Sequence, residues 1–146
     1  IVSALVELAW ELPVVFPVHP RTRARMAELG LEVMGVRTLD PVGYREMLAL
    51  EARAAVVLTD SGGIQEETTV LGVPCVTLRD STERPVTVTH GTNRLVPDRS
   101  REAILQATRD ALGGPPRRDG PPEGWDGRVA GRASEALRAF LERPPS

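Results

Sequence analysis

The fold is decided by Leu58-Thr59-Asp60-Ser61-Gly62-Gly63-Ile64-Gln65-Glu66-Glu67. The apolar run that leads into it has the length and β-branched content of a buried parallel strand. Gly62 and Gly63 lack the Cβ atoms that would block a phosphate from the backbone, and the predicted helix after them offers unpaired N–H groups. Further in, Glu67 is the better placed carboxylate to accept hydrogen bonds from ribose hydroxyls. The stretch therefore predicts a strand, turn and helix that can hold a nucleotide diphosphate.

A second interpretation of the same stretch needs no ligand. Ser61 is a typical helix N-cap residue, and acidic residues near the start of a helix interact favourably with its dipole. Glycine turns of this kind are common in α/β proteins. Taken without its neighbours, the stretch leaves both interpretations open.

Composition narrows the class of protein. A chain of 146 residues, 41% of them hydrophobic, predicts one compact soluble domain. The net charge of -2 comes from charges spread along the chain, which argues against nucleic-acid or membrane partners. Every basic residue is arginine, so a lysine Schiff base and a lysine phosphate clamp are excluded within these residues. The single Cys75 favours a reducing, cytoplasmic setting, and the lack of a starting methionine suggests a fragment or a processed product.

Apolar segments alternate between strand-like and helix-like patterns along the chain. We predict helices over residues 1–11, 21–29, 64–71, 101–112 and 126–141, a further helix that starts at Asp40-Pro41, and strands over 14–18, 31–36, 55–59, 74–78 and 94–96. This alternation predicts an α/β fold, a Rossmann-like parallel sheet with helices on both faces. Ligands then bind at the carboxyl ends of the strands, which carry His19, Ser61 and Arg79.

The domain organisation follows from the same patterns. Residues 1–112 form the predicted Rossmann-like domain, residues 113–124 are a connector rich in proline and glycine, and residues 125–146 hold a last helix.

A charged loop, residues 79–85, follows the fourth predicted strand, and in a doubly wound sheet we expect it to lie beside the Ser-Gly-Gly turn. Arg84, held extended by the proline after it, is suited to bidentate contact with a diphosphate, and Ser81 or Thr82 can add hydroxyl donors. The alternative is a solvated loop with internal arginine–glutamate pairs. His19 can contact a phosphate or a sugar, although a lone histidine is more often structural, and the case for His90 is weaker.

The order and spacing of several motifs point to a family. These motifs are residues 59–67 of the opening stretch, Gly72-Val73-Pro74, Arg79-Asp80-Ser81-Thr82-Glu83-Arg84-Pro85 and Gly91-Thr92-Asn93-Arg94-Leu95-Val96, with Pro17-Val18-His19-Pro20 upstream and Gly124-Trp125-Asp126-Gly127 downstream. Together they closely resemble the non-hydrolysing UDP-N-acetylglucosamine 2-epimerases. The resemblance covers only the carboxyl-terminal half of that family's protein, and the first strand of this half is missing.

The resemblance implies one half of a two-domain enzyme of the glycosyltransferase-B type, with substrate in the cleft between the halves. It implies that this half binds the UDP-sugar, that Ser61, Gly62 and Gly63 bind the diphosphate, that Glu67 binds ribose, that Arg84 contacts phosphate, and that His19 lies within reach of the nucleotide sugar. Arg84 and His19 are the residues here that would take part in catalysis. The implied reaction interconverts UDP-GlcNAc and UDP-ManNAc by anti elimination and re-addition of UDP, without cofactor or metal, in cell-envelope polysaccharide biosynthesis.

The family's acid/base carboxylates lie in the amino-terminal half, so we expect this chain alone to be inactive. Its expected partners are that missing half and, in a homodimer, a second copy. Two alternatives remain open: the nucleotide-binding domain of a UDP-sugar glycosyltransferase, and a non-catalytic protein that binds nucleotide sugars.

Overall fold

The computed structural model describes residues 1–114 and 120–142. The helices of these residues are α1 (Val2–Glu11), α2 (Pro20–Glu28), α3 (Tyr44–Arg53), α4 (Gly62–Leu71), α5 (Pro85–Thr89), α6 (Arg101–Gly113) and α7 (Val129–Leu141). The strands are β1 (Val15–Pro17), β2 (Arg37–Leu39), β3 (Val57–Thr59), β4 (Cys75–Thr77) and β5 (Asn93–Leu95). Helices and strands alternate through most of the chain, as the sequence predicted.

All strand pairs are parallel. β1 pairs with β2, and β3, β4 and β5 form a second sheet in that order. Every residue of the central strand β4 is buried, which is the usual state of a parallel strand covered on both faces. Because parallel strands end at one edge, the loops after β3 and β4 are neighbours.

Two apolar clusters hold the helices against the sheet. Ala4 and Leu8, one turn apart on α1, pack with Ile104 and Leu105 of α6. Val76 of β4 lies in a second cluster, with Val96 and with Ala107 of α6. Full burial of each large aliphatic side chain contributes about 1.5–3 kcal/mol, so these contacts anchor the sheet that carries the site.

Local signals end α4 and begin α6 where the sequence predicts. Gly72 takes φ 77° and closes α4, and its N–H donates to the Thr68 carbonyl. Ser100 caps α6 by accepting a hydrogen bond from the Ala103 N–H.

The second strand was predicted in the wrong place. It spans Arg37–Leu39, not residues 31–36. Gly35 adopts φ 78° and the Val36 N–H donates to the Val33 carbonyl, so the chain turns where the apolar pattern favoured extension.

Three helices also differ from prediction. α7 begins at Val129, not at residue 126. α3 begins at Tyr44, a few residues after Asp40-Pro41. α5 was not predicted, because its residues Pro85-Val86-Thr87-Val88-Thr89 are mostly β-branched and favour a strand; Pro85 at its first position starts the helix instead.

The connector and the end of the last predicted segment are described only in part. Residues 115–119 of the connector and 143–146 of the last segment lie outside the described residues. Among the residues that are described, no helix is long and apolar enough to cross a membrane.

Candidate nucleotide site

The predicted turn lies where β3 ends and α4 begins. Ser61 is the residue before the helix, with extended backbone, and its N–H donates to the Thr59 hydroxyl at 3.0 Å. Its own side chain does not cap the helix. The Ser61 hydroxyl and the first N–H groups of α4 are therefore not joined to each other, and both remain suited to an anionic ligand.

Gly62 and Gly63 occupy the first two positions of α4, and neither has a positive φ. A Cβ atom at Gly62 would meet nothing within 4 Å, and one at Gly63 would meet only the Ser61 hydroxyl, at 3.9 Å. Glycine inside a helix costs about 0.5–1 kcal/mol relative to alanine. Neither backbone conformation nor packing among the described residues requires glycine here, which favours the ligand-binding interpretation of the turn.

The buried side-chain amide of Gln65 holds the Ser-Gly-Gly turn in place through hydrogen bonds. Gln65 is fully buried, and its side-chain N–H donates to the Ser61 carbonyl at 3.3 Å. Its Oε1 accepts hydrogen bonds from the Thr82 hydroxyl at 2.6 Å and from Asn93 Nδ2 at 3.1 Å. Asn93 in turn accepts from the Thr77 hydroxyl at 2.6 Å. This network ties the glycine turn to β4, to β5 and to the charged loop.

The same network positions Arg84. The Thr82 hydroxyl accepts from the Arg84 N–H at 2.9 Å, and the Thr87 hydroxyl donates to the Arg84 carbonyl at 2.7 Å. The Thr82 hydroxyl is thus engaged inside the protein, whereas Ser81 is exposed. Arg84 has φ -121° and ψ 58°, so it is not fully extended as predicted, because Pro85 starts a helix.

Among the described residues, the charged loop forms one internal arginine–glutamate pair, as the solvated-loop alternative predicts, and two ion pairs with residues outside the loop. Arg79 pairs with Glu83, and Asp80 with Arg99. Arg84 reaches back to α4, where its Nε lies 2.8 Å from Glu66 Oε1, with the two side chains 43% and 41% exposed. A pair this exposed contributes little to stability. The Arg84 guanidinium therefore lies beside the start of α4 in a pair that a diphosphate can displace at small cost.

Glu67 lies between a surface cavity and the buried carboxylate of Glu51. On one side it lines a cavity of about 390 Å³ with an otherwise mostly apolar wall, formed with Tyr44, Leu48, Glu66, Val70, Leu71 and Trp125. On the other side it lies close to Glu51 of α3, which is 1% exposed and whose two oxygens have no hydrogen-bond partner. Burial, followed by the charge of Glu67, raises the pKa of Glu51 to about 7.

This pair makes stability depend on pH. Because the pKa of Glu51 rises from an ordinary 4.5 to about 7 on folding, the folded chain binds more protons than the unfolded chain between these values. The free energy of unfolding should fall as pH rises through that window. We expect Glu51→Gln to raise the melting temperature at pH 8 by a few degrees and to change it little at pH 5. Thermal melts at both pH values test this, and an equal shift at both would contradict it.

His19 occupies a different place. It is the N-cap of α2, where its Nδ1 accepts a hydrogen bond from the Arg21 N–H at 3.3 Å. No hydrogen bond or ion pair among the described residues joins it to the α4 turn or to Arg84. The structure thus gathers Ser61, the two glycines, Glu67 and Arg84 around α4, and gives His19 a local capping role.

Gln65, Asn93 and Glu51 were not singled out from the sequence as contributors to this site. One available signal was Glu51, a charged residue that follows the apolar Met47, Leu48 and Leu50 in α3. The described residues contain no cluster of three or more His, Cys, Asp or Glu side chains that could hold a metal ion.

Comparisons with known proteins identify the family of this chain. The family model described as UDP-N-acetylglucosamine 2-epimerase matches residues 1–138. A Pseudomonas aeruginosa protein named UDP-2,3-diacetamido-2,3-dideoxy-D-glucuronate 2-epimerase is 46% identical over 144 residues, covering 98% of this chain and 39% of that protein. The UDP-N-acetylglucosamine 2-epimerase of Methanocaldococcus jannaschii is 44% identical over 108 residues, covering 70% and 29%. The chain thus spans less than half the length of these relatives.

Solved structures that resemble this chain belong to the same family. The crystal structure of Methanocaldococcus jannaschii UDP-GlcNAc 2-epimerase in complex with UDP-GlcNAc and UDP matches with a TM-score of 0.77 and 37% identity, over 92% of this chain and 38% of that one. A putative UDP-N-acetylglucosamine 2-epimerase from Listeria monocytogenes matches with a TM-score of 0.78 and 29% identity, over 99% and 40%. The predicted fold class, a Rossmann-like half of a glycosyltransferase-B type enzyme, is confirmed.

Proposed function

Because this chain belongs to the UDP-N-acetylglucosamine 2-epimerase family, we propose that it is the UDP-binding, carboxyl-terminal half of a 2-epimerase of UDP-GlcNAc or a similar UDP-sugar. The observation that carries the proposal is the open Ser61-Gly62-Gly63 start of α4 with Arg84 beside it. Backbone N–H groups, a helix dipole and a guanidinium converge there, which is the chemistry that a diphosphate needs.

Each residue then has a role. The N–H groups of Gly62 and Gly63 and the Ser61 hydroxyl donate hydrogen bonds to the diphosphate. Arg84 leaves Glu66 and pairs with a phosphate oxygen. Glu67 accepts hydrogen bonds from the ribose hydroxyls, and the cavity beside it provides apolar surface for part of the nucleoside. His19 exchanges its hydrogen bond with Arg21 for one to the ligand.

In the proposed reaction, the UDP group is also the leaving group. A base removes the proton from C2 of the sugar while the C1–O bond breaks, which gives a glycal and UDP; UDP then adds back at C1 as a proton is delivered to the opposite face of C2. Negative charge grows on the diphosphate as the bond breaks. Arg84 and the N–H groups of α4 stabilise that charge, which is a contribution to the transition state.

The acid and base are expected in the amino-terminal half, so the 146-residue chain should bind ligand without epimerising it. The parent enzyme would complete the cleft with that half, and a homodimer is compatible with it. The single buried thiol, Cys75, fits a reducing cytoplasm.

The sugar itself is left open by the relatives. One is named for a diacetamido-glucuronate and another for N-acetylglucosamine, and both names share the UDP group and the change at C2. The residues gathered around α4 are suited to UDP, which is common to both substrates. We therefore assign UDP recognition to this chain and the choice of sugar to the rest of the enzyme.

Titration calorimetry of the 146-residue chain tests the proposal. We expect saturable binding of UDP and UDP-GlcNAc, and weaker binding of ADP. Glu67→Ala and Arg84→Ala should each weaken UDP binding about tenfold, since each removes a hydrogen bond to or from a charged group. Arg94→Ala is a matched control, because Arg94 pairs with Asp110 on the surface of α6, away from the turn.

Binding that Arg84→Ala and Arg94→Ala weaken equally would show a general charge effect and count against the assigned site. A folded chain that binds neither UDP nor UDP-GlcNAc would refute the proposal.

A further inference from the structure

Glu51 is a buried carboxylate, and among the described residues it has no partner that would stabilise a negative charge. It lies on α3, which packs against α4, and it is 1% exposed. Neither carboxylate oxygen has a hydrogen-bond partner, and it takes part in none of the ion pairs of the described residues. Burial of an unpaired carboxylate costs several kcal/mol, so the group must either carry a proton or serve a neighbour.

Among the described residues, two ionisable groups approach Glu51, and both are acids. Glu67 approaches from α4, and Cys75 from β4. Burial raises the pKa of the Cys75 thiol, so that group is neutral and does not stabilise a carboxylate by charge.

Two carboxylates side by side cannot hydrogen bond, because neither can donate. One proton between them removes the repulsion and creates a donor. We propose that Glu51 is a positioning residue, which shares one proton with Glu67 and thereby holds the Glu67 carboxylate where it accepts hydrogen bonds from the ribose of the nucleotide. This inference rests on the proposed function, since it gives Glu67 that ligand.

The shared proton makes nucleotide binding depend on pH. Below about pH 7 the pair holds the proton, and Glu67 is fixed. At higher pH Glu51 loses that proton, and repulsion between the two carboxylates drives Glu67 away from Glu51 and out of position. Binding should therefore weaken as pH rises through 7, by about tenfold between pH 6 and pH 8.5, and should take up a proton from solution near neutral pH.

UDP-GlcNAc is the suitable probe, because its diphosphate is esterified at both ends and keeps its charge over this range, whereas the terminal phosphate of UDP titrates. Calorimetry of the 146-residue chain from pH 6 to pH 8.5, in two buffers of different ionisation enthalpy at pH 7, gives the dissociation constant and the proton uptake. Glu51→Gln keeps a donor that cannot be lost, and should bind tightly with a flat pH profile. Glu51→Leu lacks the donor, and should bind weakly at every pH.

Glu46→Gln is the matched control, since Glu46 is an exposed acid on the same helix and should leave the pH profile unchanged. A flat profile in the unchanged chain, or a Glu51→Leu variant that binds as well as Glu51→Gln, would overturn the positioning role while leaving UDP binding intact. Absence of UDP-GlcNAc binding at every pH would instead refute the proposed function, and the positioning role with it.

Discussion

Replacing both turn glycines, in Gly62→Ala/Gly63→Ala, is expected to abolish most UDP binding while leaving the fold as stable as before, or more so. The two Cβ atoms enter space that the protein itself leaves open, with the nearest described atom 3.9 Å away. A diphosphate that approaches the backbone N–H groups needs that space. Loss of two hydrogen bonds to a charged group removes about 3 kcal/mol, or about a hundredfold in the dissociation constant.

Stability should move in the opposite direction. Alanine is the better helix former, by up to about 1 kcal/mol for each position, and neither glycine has the positive φ that would penalise a side chain. Calorimetric titration with UDP and a thermal melt of the same sample measure both effects. The opposite signs of the two effects separate a ligand site from a structural turn.

Gly131→Ala is the control for this variant. Gly131 lies in α7, and a Cβ atom added there would meet nothing within 4 Å, so the substitution should raise helix stability without touching UDP binding. If Gly62→Ala/Gly63→Ala lowered the melting temperature by several degrees and left UDP binding unchanged, the glycines would be structural, and the phosphate assignment would be wrong.

The sequence predicted the core of this site because its signals are local. The strand, the Ser-Gly-Gly turn and the helix that ends at Gly72 follow one another directly in the sequence. Each depends on short-range preferences of the backbone, which a sequence pattern can predict. Arg84 was also predicted to lie near the turn, because loops after neighbouring parallel strands share an edge.

Contacts between side chains that are far apart in the sequence could not be predicted from such short-range preferences. Gln65 looks like any polar residue of a helix surface, yet it is fully buried because Thr82 and Asn93 meet its carbonyl oxygen from 17 and 28 residues away. Glu66 and Glu67 are adjacent in the chain, but one pairs with Arg84 and the other faces Glu51. Successive residues of a helix point in different directions, so Glu66 and Glu67 face different neighbours. The packing of the helix in the folded chain decides which neighbour each side chain contacts.

Gly91→Ala is expected to cause a large decrease in the free energy of unfolding. A Cβ atom there would clash with the Thr87 carbonyl and would lie 2.5 Å from Thr69 Oγ1 and 2.8 Å from Thr69 Cγ2. Thr69 and Thr87 are fully buried on α4 and α5, and a carbonyl oxygen of the backbone cannot rotate away. The two helices must separate, at a cost of about 3 kcal/mol.

Urea unfolding measures that cost, and Gly113→Ala, in a helical position with nothing within 4 Å, is the control that should not destabilise the chain. Thr69→Ala removes part of the clash, so the double variant Gly91→Ala/Thr69→Ala should lose less than the sum of the single losses. Because α5 begins directly after Arg84, separation of the helices should also weaken UDP binding. Additive losses, or a Gly91→Ala variant as stable as the unchanged chain, would mean that α4 and α5 do not pack as closely as the structure shows.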